Sequence, residues 1–382
     1  MLKINISILA IFFSSQIMLG QKKELEKKEP EKPEYLKSGT YSSLSFRNIG
    51  PAVTSGRVID IAVNPRNKSE WYIAAACGGV FKTQNAGITF EPIFDKQNVY
   101  SIGCLAIDKN NPNVIWVGSG ENNNQRSVAY GDGIYKSEDG GKSFKNMGLT
   151  KSEHIGNIAI DPTNSDVVYV AAYGPLWNAG GERGIYKTTD GGKTWNQVLK
   201  VSDNTGFNEV HIDNQHPNII YACAHQRRRH EWAYISGGPE SAVYKSTDNG
   251  TTWNKLSNGL PTGDVGRIGL AISPVNTDIV YAIVEGRDNK GFYKSSDRGA
   301  SWTKQSSYST DGNYYQEIVA DPLNADKVYS MATWAQVSKD GGKSFSGLGE
   351  KSKHVDNHAM WIDPTVPSHY LIGCDGGLYE SF

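Results

Sequence analysis

Cysteine is scarce in this chain: four in 382 residues, Cys77, Cys104, Cys223 and Cys374. Their wide scatter excludes a disulfide framework and a CxxC metal knuckle, and leaves them as small core residues in strands. Net charge is nearly absent too, at −1. No global field therefore recruits nucleic acid or an anionic membrane, and the lone Arg227-Arg228-Arg229 run does not make a nucleic-acid surface. No stretch is long and apolar enough for a confident transmembrane helix. No cofactor or metal is expected, although His354, Asp356 and His358 alternate and would face one way on an extended strand.

What the chain has instead is repetition. A phrase of the form Ser/Thr-x-Asp-x-Gly-x-Ser/Thr-aromatic recurs at Ser137 to Phe144, Thr188 to Trp195, Ser246 to Trp253, Ser295 to Trp302 and Ser338 to Phe345, with a decayed copy at Thr83 to Phe90. The third residues, Asn85, Asp139, Asp190, Asp248, Asp297 and Asp340, are spaced by 54, 51, 58, 49 and 43. A period near fifty residues means a repeat architecture. Before most copies a β-type stretch ends in aromatic-Lys, and alternating residues resume after each phrase, so the phrase reads as a hairpin turn. Its Asp accepts backbone N–H groups and its Gly supplies positive φ, which makes these carboxylates structural staples rather than catalysts.

Laid over one another, the units contain four strand-like segments, A to D. In the third unit these are residues 157–161, 167–172, 184–187 and 193–198. Turns between A and B recur at Asn64-Pro65, Asn111-Pro112, Asp161-Pro162, His216-Pro217, Ser273-Pro274, Asp321-Pro322 and Asp363-Pro364, one more than the staples. The expected fold is all-β: a seven-bladed β-propeller of four-stranded antiparallel blades. Residues 45–50 (SFRNIG) match the strand-D segment 143–148 (SFKNMG), and the seventh unit stops before its own strand D. The N-terminal strand is therefore expected to close the ring.

At the N-terminus, Met1-Leu2-Lys3 and an apolar run to Gly20 read as a signal peptide over 1–20, followed by a charged, Pro-containing spacer over 21–40. The propeller then occupies 41–382, as part of a longer protein. This predicts a secreted, periplasmic or cell-surface protein, monomeric and without integral membrane contact once the signal is cleaved.

Strand order puts the A–B and C–D turns on one face and the B–C and D–A loops on the other. The B–C loops vary in length and are rich in Trp, Tyr, Asn and Arg, which suits a glycan or extended peptide ligand. Glu121, Asn123, Arg126, Tyr130, Trp177, Arg183, His225, Arg227, Trp232 and Trp334 are the candidate ligand-binding residues. On the inner strands, the column that holds Asn157 carries Asp60, Glu209 and Glu317 in other blades. These are the candidate acid and base if the chain cleaves a glycosidic bond.

The staple resembles the Asp-box, or bacterial neuraminidase repeat, of sialidases, xyloglucanase-type glycoside hydrolases, sortilin-type ectodomains and photosystem-assembly propellers. From about Leu44 onward, with Phe46 to Pro51, Ser55-Gly56-Arg57, His358 to Pro364 and Asp375-Gly376-Gly377, the pattern most resembles bacterial secreted proteins of the sortilin N-terminal class. Those are often described as glycosyl hydrolases. The resemblance to xyloglucanases implies a catalytic Asp at the end of the first blade's strand B, where this chain has Ala76, and a second carboxylate in a second propeller. The resemblance to sialidases implies an Arg triad that Arg47 alone does not supply. The residues therefore favour an exported binding propeller, with a xyloglucanase-like or sialidase-like glycoside hydrolase as the alternative.

Overall fold

A computed structural model describes residues 56–124 and 128–382, and every regular element there is a β-strand. The expected leader, spacer and ring-closing strand around Phe46 lie outside the described residues. Blade 1 consists of β1 (Val58–Val63), β2 (Trp71–Ala75), β3 (Gly79–Thr83) and β4 (Glu91–Pro92). Blade 2 follows with β5 (Ile102–Ile107), β6 (Ile115–Ser119), β7 (Ile134–Ser137) and β8 (Lys145–Asn146). Blade 3 has β9 (Ile155–Ile160), β10 (Val168–Ala172), β11 (Gly184–Thr188) and β12 (Asn196–Leu199). Blade 4 is larger: β13 (Thr205–Ile212), β14 (Ile220–Arg229), β15 (Tyr234–Ser236), β16 (Ala242–Ser246) and β17 (Asn254–Leu256). Blade 5 contains β18 (Val265–Ile272), β19 (Val280–Gly286), β20 (Gly291–Ser295) and β21 (Thr303–Ser306). Blade 6 contains β22 (Ile318–Ala320), β23 (Val328–Ser330), β24 (Gln336–Ser338) and β25 (Ser346–Gly347). Blade 7 has three strands, β26 (Asn357–Ile362), β27 (Tyr370–Cys374) and β28 (Gly377–Ser381).

Within each blade neighbouring strands pair antiparallel in sequence order, and β15 adds a second hairpin to β14. The second strands read as continuous apolar runs because both of their faces are covered, as in β10 (VYVAA), which is buried throughout. The core is divided into clusters that each join two adjacent blades. Ile59, Tyr72, Phe94, Leu105 and Val117 fuse blades 1 and 2, and equivalent sets follow around to blades 6 and 7. Val58, Ile61 and Trp71 of blade 1 pack with Ala359 and Leu371 of blade 7. Lys68 Nζ adds bonds to both Asp363 carboxylate oxygens at 2.8 and 2.7 Å. The seven blades thus form a ring.

The staples hold each hairpin and, in blades 2 to 5, also hold the blade to the one before it. In blade 3, Asp190 Oδ1 accepts from Thr188 Oγ1 (2.7 Å) and Thr194 N (3.0 Å), while Oδ2 accepts from Thr194 Oγ1 (2.7 Å). Asn85 of the decayed copy reproduces this with its amide, Oδ1 accepting from Thr83 Oγ1 at 2.9 Å and Thr89 N at 3.0 Å. The residue after the acid is left-handed in every copy: Ala86, Gly140, Gly191, Asn249, Arg298 and Gly341 all have positive φ. Its N–H donates to the A–B turn of its own blade, as from Gly140 to Asn113 O (2.9 Å). In blades 2 to 5 its carbonyl accepts from the preceding blade. Lys82 Nζ reaches Gly140 O (2.9 Å), Lys136 reaches Gly191 O (3.3 Å), Lys187 reaches Asn249 O (2.8 Å) and Lys245 reaches Arg298 O (2.6 Å). Tyr72, Tyr169 and Tyr221 hydroxyls donate to three of the same carbonyls, and each lysine lies over the aromatic ring beside it.

The next glycine packs against that same ring. At Gly192, φ is 93° and a Cβ would fall 2.5 Å from Trp116. Gly192→Ala combines backbone strain with a steric clash at a blade joint, so it is expected to lower stability by ~2 kcal/mol or more in urea unfolding. The staple carboxylates are held low by the hydroxyl and then the N–H of the residue four ahead, Asp139, Asp248, Asp297 and Asp340 at about 2. A lowered folded-state pKa contributes stability that is present above the unfolded Asp value of about 4 and is lost as pH falls through the folded one. Thermal midpoints should therefore drop steeply between about pH 4 and 2. Asp297→Asn should cost less than Asp297→Ala at pH 7, because Asn85 shows that an amide can make the turn. Equal losses in the two variants would contradict this account of the staple.

Candidate functional site

Inner strands β1, β13 and the approach to β22 bring Asp60, Glu209 and Glu317 into one channel, close enough that the charges of Glu209 and Asp60 act on Glu317. Their roles differ. Asp60 Oδ2 accepts Leu105 N of blade 2 (2.7 Å) and Oδ1 accepts Ile61 N (2.8 Å), while burial pushes the carboxyl up to about 6. Glu209 Oε2 accepts Leu270 N of blade 5 (2.7 Å) and meets His211 Nε2 at 3.0 Å. Both carboxylates strap their blade to the next. Glu317 instead faces Arg267, whose Nη2 donates to Oε1 at 3.1 Å. Glu317 is partly buried, and its side chain keeps 35% of its surface open. Burial, then the charge of Glu209, raises its carboxyl well above the usual range, against the pull of Arg267.

Across the B–C end of this channel runs the loop after β6. Glu121 is buried in an ion pair with Arg57 and accepts from Asn123 Nδ2 at 2.9 Å. Asn122 Nδ2 donates to Gly103 O (2.9 Å) and Gly156 O (3.2 Å). Arg227 Nη1 reaches over from blade 4 to Asn123 O (2.6 Å), and Arg229 Nη2 to Asn124 O (3.0 Å). Asn124 N donates to Asn313 O (2.9 Å), so the loop ties blade 2 to blade 4 and to the approach to blade 6. Arg57 also contacts Asp375 Oδ1 (3.3 Å), which meets His358 Nε2 at 2.8 Å. Burial and the Arg227 and Arg183 charges hold His154 neutral, and burial with Arg227 and Arg267 does the same to His225. At the A–B end the channel opens into a cavity of about 620 Å³ bounded by Asn157, Ala159, His211, Ala62 and Trp361.

The residues singled out as ligand-binding from sequence therefore separate into two groups. Glu121, Asn123, His225 and Arg227 are buried in the network that spans the mouth. Arg183 is buried inside its own loop, donating to Gly180 O (2.8 Å), Tyr173 O (2.9 Å) and Asn178 O (2.6 Å). Tyr130, Trp177, Trp232 and Trp334 stay exposed, at 72, 46, 83 and 55% of their surface, on B–C loops of blades 2, 3, 4 and 6. Arg126 lies outside the described residues. The alternating His354, Asp356 and His358 do not converge on a metal site: Asp356 accepts the Tyr315 hydroxyl, His358 meets Asp375, and His354 Nδ1 contacts Val355 O. No cluster suited to a metal occurs among the described residues. Arg57, Arg267 and Asp375 were not named as site residues. Arg57 and Asp375 stood out only through the Ser55-Gly56-Arg57 and Asp375-Gly376-Gly377 segments of the resemblance, and Arg267 only as a charge near the start of the otherwise apolar β18.

Several known proteins resemble the chain. A xyloglucanase of Paenibacillus sp is 26% identical over 279 residues, covering 65% of this chain and 26% of that protein. The oligoxyloglucan-reducing end-specific xyloglucanase of Emericella nidulans is 22% identical over 224 residues, covering 54% and 25%. The chain thus spans about a quarter of the length of these curated relatives. Among solved structures, the GH74 xyloglucanase from Xanthomonas campestris superposes with a TM-score of 0.62 at 16% identity, over 85% of this chain and 52% of that one. That likeness is one of fold. The Sortilin-Vps10 model (sortilin, neurotensin receptor 3) matches residues 132–238 and 241–375, well over half of the sequence, and on that match the chain belongs to the Sortilin-Vps10 family.

Proposed function

We propose that this propeller engages a polysaccharide in a xyloglucanase-like glycoside hydrolase, with the sugar chain lying across the B–C loop face. The observation that carries the reading is the placement of Tyr130, Trp177, Trp232 and Trp334. Four exposed aromatic side chains sit on loops of four blades, all on the same face. Rings held by a rigid scaffold offer flat apolar faces to sugar rings at little entropic cost. The xyloglucanase relatives favour a glycan over a peptide as the occupant. Export by the N-terminal segment would bring such a surface to extracellular polysaccharide.

Affinity electrophoresis in gels containing xyloglucan checks this. Retardation of the wild-type chain is expected, and Trp177→Ala, Trp232→Ala and Trp334→Ala should each weaken it by roughly tenfold. A chain that migrates alike with and without xyloglucan, cellulose derivatives and other β-glucans would refute the glycan reading.

A second reading, bond cleavage by this propeller itself, is favoured by Glu317. Its raised carboxyl, partly open, has the character of a general acid, whereas Asp60 and Glu209 are committed to backbone N–H groups of the next blade. Ala76 is buried and offers no carboxylate where the xyloglucanase resemblance implies one. If Glu317 is the acid, Glu317→Gln should lower release of reducing ends by about 100-fold or more without altering circular dichroism. Turnover should also fall as pH rises through the raised pKa. Turnover unaffected by the substitution removes Glu317 from the chemistry.

A further inference from the structure

Among the described residues, only blade 4 carries a fifth strand. Strand β14 runs on past its blade and turns back as β15, pairing Arg227–Arg229 with Tyr234–Ser236. Three sets of contacts pin this hairpin. The Arg227 guanidinium lies 3.4 Å from the Tyr173 ring centroid, and that of Arg229 lies 4.3 Å from Tyr234. Asn124 Nδ2 donates to Ser236 Oγ at 3.1 Å. Gly238 then exchanges backbone bonds with Val265 at the start of blade 5, N donating at 2.9 Å and O accepting at 3.4 Å. Gly237 has a φ of 144°, and a Cβ there would fall 2.7 Å from Val265 O, so the close approach of the two blades requires glycine.

The crossing leaves a cavity of about 930 Å³ between the hairpin and the B–C loop of blade 5, with Gln226, Tyr234, Asp264, Glu285, Arg287 and Asp288 on its walls. That volume is near the upper end of the roughly 300–1,000 Å³ typical of small-molecule sites, so there is room for several sugar rings. The Tyr234 ring rests on Arg229 yet keeps 37% of its surface exposed. Glu285 is fixed by accepting Arg267 N at 3.1 Å. Three carboxylates and one guanidinium make the wall acidic, which repels an anionic ligand.

We infer that this cavity between blades 4 and 5 is a subsite for a neutral oligosaccharide, with Tyr234 as the stacking surface, Gln226 and Glu285 as partners for hydroxyls, and the acidic wall rejecting uronic acids. The inference rests on the glycan reading above and narrows it to uncharged sugars at a named place.

Isothermal titration of the full chain with cellotetraose, a xyloglucan heptasaccharide and tetragalacturonate tests it. A neutral oligosaccharide should bind at least about tenfold tighter than the uronate. Tyr234→Ala and Glu285→Gln should each weaken neutral binding by about tenfold; the latter keeps an acceptor for Arg267 N, so the loop stays in place. Asp264→Asn with Asp288→Asn, both on the surface, should narrow the discrimination against tetragalacturonate at least about threefold. Tetragalacturonate binding as tightly as the neutral sugars overturns the inference. So does neutral binding that survives Tyr234→Ala and Glu285→Gln but fails in the tryptophan variants, and in that case the glycan reading still stands. No binding of any of these sugars or of xyloglucan by the wild type removes both.

Discussion

One residue in each of blades 2 to 5 does two jobs. The residue after the staple acid donates its N–H to its own A–B turn and lends its carbonyl to the lysine of the preceding blade. A left-handed conformation turns the N–H and the carbonyl of that residue toward these two partners, and Gly140, Gly191, Asn249 and Arg298 all adopt it. The carboxylate of the preceding residue supports that conformation by accepting the N–H of the residue four ahead, as Asp190 does from Thr194. Remove the staple and both the hairpin and the joint between blades lose their anchor. From blade 5 to blade 6 the arrangement shifts: Lys294 reaches Asp326 Oδ1 at 2.7 Å and Tyr281 reaches Ala325 O at 2.7 Å, both in the A–B turn.

Because these joints all lie on the A–B and C–D side, the opposite loops are free to vary without cost to the ring. Two of them use that freedom to reach each other. The blade 2 loop crosses the channel mouth to meet Arg227 and Arg229, and the blade 4 hairpin that carries those arginines crosses to Val265 of blade 5. Such loops hold a fixed shape on a rigid stage, which is what an extended ligand needs in order to bind without a large ordering penalty.

The ring was legible because its signals are local and repeated. Staple, A–B turn and aromatic-Lys pair each recur at the blade period, and seven A–B turns correspond to seven sheets. The meaning of the aromatic-Lys pair was not legible, since its partner is a carbonyl some fifty to sixty residues away, as for Lys82 and Gly140. The same limit explains the site. Trp177, Trp232 and Trp334 could be read as surface residues because they fall in B–C loops of varying length and not in the strand segments. Arg227 and Glu121 read the same way on composition alone, and only the crossing of loops from different blades buries them. Asp60 and Glu209 stand in the right column for chemistry, but each meets a backbone N–H supplied by the next blade, which no spacing within its own blade reveals.

The interior charges follow from one cause acting with opposite sign on acids and bases. Burial raises Asp60, Glu317 and Glu285, and it lowers His154, His225 and His358. As pH falls from neutrality, the raised carboxyls take up protons more readily in the folded chain than in the unfolded one, which favours folding. The buried imidazoles resist protonation that the unfolded chain accepts, which opposes it. The two sets work over the same pH interval and offset one another, while the staple acids do not respond until well below it. The channel can therefore change its charge in mild acid, Asp60 at about 6, while the staples that hold the ring remain ionised. A carboxyl such as Glu317 can gain and lose a proton in that interval on a frame whose own ionisation is fixed.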